Sequence, residues 1–184
     1  MRTITVALGE KTYKIEIAAG LLDQIGPKAR ALSAAAKAAV ISDSNVDPLY
    51  GERLERTLAD SGFEVTRIVF EAGEQSKNLA TLGYVYDELA RAGLPRSDLL
   101  LTLGGGVPGD LGGLAAATFL RGIDFIQVPT SLLAQIDSSV GGKVAIDLPA
   151  GKNLVGSFYQ PKAVFIDPEL LQSLPLRFLH DGLA

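Results

Sequence analysis

The chain has 184 residues, of which 47% are hydrophobic and 21% charged, a composition that excludes wholesale disorder and allows one domain with a hydrophobic core. Its 17 Lys and Arg residues against 21 Asp and Glu residues give a net charge of −4, which disfavours a nucleic-acid partner. With no cysteine and one histidine, neither a disulfide framework nor a zinc site within the chain is expected. The weakly charged stretch 99–120 contains Asp110 and six glycines, and the first residues lack a signal-peptide core. We therefore expect a cytoplasmic protein without a membrane partner.

The first residues predict an N-terminal β-hairpin. Apolar and polar residues alternate in 3–8 and 13–17, and the Gly9-Glu10 pair between them is typical of a two-residue type II′ turn. Beyond the hairpin the pattern changes to helices that alternate with buried strands. Helices are predicted at 21–32, 47–62 with Asp47 as N-cap, 76–93 opened by Ser76, and 108–120. Strands are predicted at 38–42, 63–70, 98–103 and 124–129. This alternation predicts an α/β fold with a mostly parallel, Rossmann-like sheet flanked by helices.

A glycine-rich turn follows the predicted strand at 98–103. Residues 104–106 are three glycines, and a helix begins at once with Pro108 in its first turn. Bare backbone N–H groups at a helix N-terminus form an anion site suited to a phosphate or pyrophosphate, and Asp110 is placed to accept a ribose hydroxyl or a nicotinamide amide. The alternative is a tight crossover in which glycine only permits close packing. The spacing G-G-G-x-x-G-D differs from the usual dinucleotide fingerprint, so the turn alone predicts a phosphorylated ligand.

Polar residues also follow two other predicted strands. Asp43 and Asn45 come after the strand at 38–42, and residues 73–77 come after the next one. The carboxyl ends of parallel strands face a ligand crevice, which makes these residues candidates for binding. Turn formation and helix capping are an alternative role for Asp43 and for Ser76.

The segment 130–156 contains the highest density of charged and polar residues suited to substrate binding. Asp137 is followed by Lys143 and then by Lys152, each beside glycine-rich backbone. Two lysines with a nearby carboxylate suit a polyanionic substrate such as a phosphorylated acid. The alternative is an exposed loop with solvated lysines.

Five stretches of the sequence resemble the 3-dehydroquinate synthase family. They are GGGVPGD at 104–110, AAATFLRG at 115–122, QVPTSLLAQ at 127–135, DSSVGGK at 137–143 and GKNL at 151–154. The resemblance runs through the chain but covers only the N-terminal half of the family, so it implies that 1–184 is an NAD-binding N-terminal domain. The C-terminal metal and substrate domain, which carries the family's metal ligands, is then absent from this chain. The chain ends at the Gly-Leu-Ala that precedes the first of those ligands.

The resemblance implies a role for each matching residue. Implied to bind NAD are Asp43, Asn45, Gly73, Glu74, Lys77, Gly105, Gly106, Val107, Gly109, Asp110, Thr130, Ser131, Lys143, Lys152, Leu170, Leu171, Gln172 and Ser173. Implied to act at the substrate are Asp137, Lys143, Lys152, Asn153 and Arg121. The arginine reaches the partner's site in the family's homodimer. Pro108 replaces a commonly aliphatic residue, and we expect little consequence because proline is tolerated in a first helical turn.

The family's reaction converts 3-deoxy-D-arabino-heptulosonate 7-phosphate to 3-dehydroquinate and phosphate, on the way to aromatic amino acids. It proceeds by transient oxidation with NAD, phosphate elimination, re-reduction and aldol closure, and a divalent metal, zinc or cobalt, polarises the hydroxyl being oxidised. The chain alone is expected to be inactive. Three alternatives stay open: another sugar-phosphate cyclase, a metal-dependent polyol dehydrogenase, and a non-catalytic dinucleotide-binding module.

Overall fold

A computed structural model describes residues 1–183 and shows a seven-stranded sheet with helices on both faces. The strands are β1 (Arg2–Val6), β2 (Tyr13–Ile17), β3 (Lys37–Asp43), β4 (Glu64–Phe70), β5 (Leu99–Gly104), β6 (Asp124–Pro129), β7 (Lys143–Leu148), β8 (Gly151–Phe158) and β9 (Ala163–Ile166). The helices are α1 (Ile25–Leu32), α2 (Glu52–Asp60), α3 (Leu79–Arg91), α4 (Gly106–Thr118) and α5 (Leu176–Asp181).

The large sheet has the strand order β1-β2-β9-β6-β5-β3-β4. Its strands pair in parallel, except that β1 pairs with β2 in antiparallel fashion. The predicted α/β class, with an N-terminal hairpin on a mostly parallel sheet, is confirmed. A second sheet, the antiparallel ribbon of β7 and β8, was not predicted. No helix in residues 1–183 is long and apolar enough to cross a membrane.

Two hydrophobic clusters hold the layers together, one on each face of the sheet. Leu22, Leu54 and Leu58 of the α1–α2 layer pack on one face, and Leu89 and Leu111 of α3 and α4 pack on the other. Strand β5 is buried along its whole length because its successive side chains enter the two clusters in turn. A strand covered on both faces reads as a continuous apolar run, which is why β5 was recognisable in the sequence.

The hairpin turn is longer than predicted. Strands β1 and β2 pair from Val6 to Tyr13, so six residues connect them instead of two. Gly9 has φ +62°, and the Thr12 hydroxyl donates to the Gly9 carbonyl at 2.7 Å while accepting the Leu8 N–H at 3.0 Å. The threonine closes a wider turn that the Gly9-Glu10 pair alone did not reveal.

Two predicted helix caps were wrong. Asp47 does not cap a helix: it begins a π-helical turn before α2, and its carboxylate lies 3.6 Å from Arg67. Ser76 lies in a 3-10 turn, whereas Asn78 caps α3 by accepting the Thr81 N–H at 3.0 Å. Asparagine is as good an N-cap as serine, so the choice between neighbouring candidates was not decided by sequence.

Candidate nucleotide and polyanion site

The carboxyl ends of β3 and β5 form a crevice. Ser42 pairs with Leu103 in register, and the Ser42 hydroxyl donates to the Leu103 carbonyl at 2.8 Å, so Asp43 and Gly104 lie side by side. Strand β3 has β4 on one side and β5 on the other. The chain goes from β3 to β4 in one direction across the sheet and then returns to β5 on the other side of β3, so the topology switches between β3 and β5. Ligands of open α/β sheets bind at such a switch point.

Asp43 combines a turn role with an open carboxylate oxygen. Its Oδ1 accepts the N–H groups of Asn45 at 2.9 Å and of Val46 at 3.0 Å, which explains the turn after β3. Its Oδ2 has no hydrogen-bond partner within residues 1–183. Burial raises the pKa of Asp43, the backbone N–H groups oppose this shift, and the charge of Glu71 adds to it. The open oxygen is available to a ligand hydroxyl.

Some glycines around the turn are required by packing. A Cβ on Gly104 would lie 2.5 Å from Cγ of Pro108, and a Cβ on Gly112 would lie 2.6 Å from Cγ2 of Thr102. Both distances are shorter than any real contact between such atoms. For these two glycines the packing alternative is correct, since they let the start of α4 and the strand below it approach each other.

Gly105 and Gly106 differ, because a Cβ on either would meet only a serine side chain and at a longer distance. The nearest atoms to a Cβ on these residues would be Oγ of Ser131 at 3.3 Å and Oγ of Ser138 at 3.5 Å. The absence of a side chain therefore leaves room at the end of β5 that a methyl group would occupy, tightly at Gly105 and in ordinary van der Waals contact at Gly106. That space is suited to close approach of a ligand to the backbone.

The N-terminus of α4 opens into this space. Gly105 is the N-cap, and the first helical hydrogen bond runs from Gly109 N–H to the Gly105 carbonyl at 3.2 Å. The N–H groups of Gly106 and Val107 precede that bond and have no partner within the helix. Pro108 occupies a first-turn position where an N–H would be unpaired in any case. Uncapped N–H groups and the helix dipole together favour an anion here.

Lys77 joins three separate elements at the edge of the crevice. Its Nζ lies 2.5 Å from Oδ2 of Asp110 on α4 and donates to Oδ1 of Asn153 on β8 at 2.6 Å. The Lys77 side chain is 6% exposed and that of Asp110 is 21% exposed, so the ammonium is buried and the carboxylate is partly buried. Burial raises the pKa of Asp110, while the hydrogen bond and charge of Lys77 oppose this shift. These three residues, separated in the sequence, were all predicted site residues.

A second ion pair lies closer to solvent than the Lys77–Asp110 pair. Lys152 Nζ is 2.9 Å from Oε1 of Glu74, and both side chains are exposed. The hydrogen bond to Glu74 raises the pKa of Lys152. A pair in solvent contributes little stability, so either charge can turn to a ligand at small cost.

A cleft of about 580 Å³ extends from this network. Four predicted residues line it: Asp110, Asp137, Lys143 and Asn153. The loop 137–143 on one wall is held by the N-terminal hairpin, because the Tyr13 hydroxyl accepts the Gly141 N–H at 2.9 Å. The cleft thus places an ammonium, two carboxylates and an amide next to the anion site at α4, an arrangement that can bind a nucleotide and a polyanion together.

The family model for the N-terminal part of 3-dehydroquinate synthase matches residues 67–181. The chain belongs to this family. The 3-dehydroquinate synthase of Clostridium acetobutylicum is 57% identical over 184 residues, which are 100% of this chain and 52% of that protein. The chain therefore spans about half the length of the curated relatives it matches.

Two solved structures of sugar-phosphate cyclases share the fold. A 2-deoxy-scyllo-inosose synthase complexed with carbaglucose-6-phosphate, NAD⁺ and Co²⁺ has a TM-score of 0.91 at 28% identity, over 99% of this chain and 49% of that one. A 2-epi-5-epi-valiolone synthase from Streptomyces hygroscopicus subsp. jinggangensis, with NAD⁺ and Zn²⁺ bound, has a TM-score of 0.85 at 34% identity, over 97% of this chain and 49% of that one. The resemblance to the 3-dehydroquinate synthase family, noted from five stretches, is confirmed.

Several residues that the family resemblance singled out lie outside the cleft. Leu170 is 2% exposed and packs in the core, and together with Gln172 and Ser173 it borders a separate groove of about 370 Å³ beside Tyr50. The Tyr50 hydroxyl donates to the Leu170 carbonyl at 3.1 Å. Arg121 is exposed beyond the far end of α4, about 20 Å from the glycine turn at 1.5 Å of helix per residue. The structure therefore does not bring the arginine to the cleft of its own chain.

The β7–β8 ribbon is the functional element that the sequence reasoning missed. It carries Lys143, Lys152 and Asn153, and it packs on α4 so closely that a Cβ on Gly113 would lie 2.4 Å from Cγ1 of Val144. The alternation of apolar and polar residues in 143–148 was a usable signal. Strand β8 lacks it, since most of its residues are exposed.

Proposed function

We propose that this chain binds NAD across the carboxyl ends of β3 and β5 and supplies the N-terminal half of a 3-dehydroquinate synthase. In this proposal residues 1–184 are one NAD-binding domain, and the metal and substrate domain is separate from it. The observation that carries the proposal is the cleft in which the open glycine turn meets the Lys77–Asp110 pair, Asp137 and Lys143. The 57% identity to a curated member favours this family over the related cyclases.

The residues present fit NAD. The N–H groups of Gly106 and Val107 would hold the pyrophosphate in the space that a side chain at Gly105 or Gly106 would fill. Oδ2 of Asp43 would accept a hydroxyl of the adenosine ribose, and Asp110 would accept one from the second ribose. NAD, when bound, supplies reversible hydride acceptance. Gly73, Glu74, Thr130 and Ser131 are proposed as further contacts at the rim.

The chain's own polar groups then act on the polyanion. Nζ of Lys143 donates to a phosphate or carboxylate oxygen, and the amide of Asn153, held by Lys77, donates to another. The Asp137 carboxylate lies in the same cleft, where it can accept a proton from a substrate hydroxyl. Lys152 adds a second cation when it leaves Glu74.

A metal does not fit the described residues. In the part of the chain that the structure describes, no group of three or more His, Cys, Asp or Glu side chains is placed to hold a metal ion. We therefore assign no step on this chain to a metal, and the zinc or cobalt that the family implies would take its ligands from outside residues 1–183.

Calorimetric titration of the chain with NAD, in the absence of metal and substrate, tests the proposal. We expect saturable 1:1 binding, accompanied by shifts of the backbone amide signals of Gly106 and Val107 in NMR spectra. With added zinc and 3-deoxy-D-arabino-heptulosonate 7-phosphate, the chain alone should release no phosphate. The absence of both heat and amide shifts would contradict NAD binding, and turnover would contradict the assignment of essential groups to a separate domain.

The affinity for NAD should decrease as the pH falls from neutrality toward about 4, the ordinary range of aspartate. Burial raises the pKa of both Asp43 and Asp110, so their protonation begins above that range, and a protonated carboxyl is a weaker acceptor for a ribose hydroxyl. The folded chain holds these protons more tightly than the unfolded chain does. The cost of burying the two charges is therefore present above the raised pKa values and is relieved as the pH falls through them.

Titrations with NAD at several pH values, paired with urea unfolding, measure both effects. Asp43→Asn, which is neutral throughout, should lose part of the pH dependence of NAD affinity. An affinity that stays constant down to pH 4 would show that neither carboxylate contacts the cofactor.

We also propose a homodimer in which Arg121 reaches the substrate of the partner's site. Leu120 and Arg121 have φ of +51° and +66°, a left-handed conformation that costs about 1–2 kcal/mol for each residue with a side chain. Such strain persists only where the surrounding structure holds it, and it clusters at functional sites, which supports a role for this turn. The homodimer, the sugar-phosphate substrate and the cytoplasmic location remain predictions.

A further inference from the structure

The β7–β8 ribbon has a large bulge at the cleft. Ile146 pairs with Val155 and Leu148 pairs with Gly151, so the three residues 152–154 of β8 stand opposite Asp147 alone. The ladder cannot pair all three, and the bulged segment turns toward the loop that carries Lys77. Bulges beside active sites commonly re-aim side chains in this way.

Asp147 supplies the hydrogen bond that the ladder lacks. Its Oδ1 accepts the Asn153 N–H at 2.7 Å. Asn153 has φ +56°, a left-handed conformation that asparagine tolerates better than most residues but that needs support. The carboxylate holds this backbone conformation from the opposite strand.

Asp147, Lys77 and Asn153 form a closed ring of hydrogen bonds. The Asp147 N–H donates to the Lys77 carbonyl at 2.8 Å, and the Lys77 ammonium donates to Oδ1 of Asn153 at 2.6 Å. The Asn153 N–H completes the ring at Oδ1 of Asp147. The same ammonium contacts Asp110, so the ring connects the bulge to the start of α4. A change at Asp147 is therefore transmitted to Asn153 and Lys77 together.

We propose that Asp147 is a positioning residue that sets the left-handed turn at Asn153 and thereby holds Lys77, Asn153 and Lys152 in register with the nucleotide site. Its effect on binding rests on the proposed function, whereas its effect on the backbone does not. No contact between Asp147 and a ligand is required.

Three variants test the proposal: Asp147→Ala, Asp147→Asn and, as a control, Asp60→Ala at an exposed aspartate on α2. Hydrogen exchange of the Asn153 amide should accelerate about 10-fold or more in Asp147→Ala, as for loss of a hydrogen bond to a charged group. Asp147→Asn keeps an acceptor oxygen and should stay within about 3-fold of wild type. NAD affinity should fall about 10-fold in the alanine variant and be largely restored in the asparagine variant. Asp60→Ala should change neither quantity.

Unchanged exchange at Asn153 in Asp147→Ala would overturn the proposal, and so would an asparagine variant as impaired as the alanine variant. If the wild-type chain does not bind NAD, the proposed function fails and the exchange data alone decide the role of Asp147. If the alanine variant does not fold, an NMR measurement on the wild-type chain decides instead. It is the scalar coupling across the hydrogen bond, from Asn153 ¹⁵N to the Asp147 carboxylate ¹³C. The absence of this coupling would overturn the proposal.

Discussion

Replacing Gly106 by alanine is expected to reduce NAD affinity at least about 10-fold while leaving the free energy of unfolding within about 1 kcal/mol of wild type. A Cβ on Gly106 meets no protein atom closer than Oγ of Ser138 at 3.5 Å, an ordinary van der Waals contact. The folded chain therefore accepts the methyl group, and at this first helical position the preference for alanine over glycine stays below the about 1 kcal/mol of a helix interior. The methyl group occupies the space through which a pyrophosphate would approach the N–H groups of α4.

Gly112→Ala is the matched control, because it adds the same methyl group to the same helix. Its Cβ would lie 2.6 Å from Cγ2 of Thr102, so α4 must move away from β5. Overpacking of this kind costs about 1–3 kcal/mol. Urea unfolding and calorimetry on both variants should give opposite patterns, binding lost in Gly106→Ala and stability lost in Gly112→Ala. If Gly106→Ala binds NAD normally, the glycine turn does not hold the cofactor.

Lys77→Met should destabilise the chain by about 3 kcal/mol and abolish NAD binding. The substitution leaves the partly buried Asp110 carboxylate without its counter-charge and Asn153 without its donor. Removing one member of a buried ion pair costs more than removing both, since an uncompensated charge remains. Because Lys77 opposes the effect of burial on Asp110, its loss should raise the pKa of that carboxyl further.

A double-mutant cycle with Asp110→Asn measures this coupling by urea unfolding. The double variant should be more stable than Lys77→Met alone, because neither charge is then buried. Lys152→Met serves as a control on an exposed ion pair and should cost less than about 1 kcal/mol. Strict additivity of the two single substitutions would show that Lys77 and Asp110 do not interact in solution.

The elements that local pattern determines were predictable, and those set by distant contacts were not. β5 and the glycine turn follow from a doubly buried apolar run and from bare backbone at a helix start. The meeting of Lys77 with Asn153 depends on how the β7–β8 ribbon folds back across α4, which no neighbouring residue encodes. The exposed residues of β8 gave no burial signal, so both the ribbon and Asp147 were missed.

The N-cap of α3 was also ambiguous in the sequence. Ser76 and Asn78 both carry a side-chain oxygen that suits an N-cap, and only the packing of α3 on the sheet selects between them. The distinction between Gly106 and Gly112 is similar. The sequence shows glycine at both, while the neighbouring atoms decide that a Cβ makes an ordinary contact at Gly106 and would clash with β5 at Gly112.

The hydrogen bond between Tyr13 and Gly141 links the N-terminal hairpin to the loop that forms one wall of the cleft. Tyr13 is 2% exposed on a strand that pairs with β9, so its hydroxyl is a fixed anchor for the loop that ends at Lys143. A shortened chain that lacks only the hairpin would keep every residue proposed to contact NAD and still leave that loop without its anchor. Engineers who trim or fuse the N-terminus of this domain therefore alter the wall of its cleft.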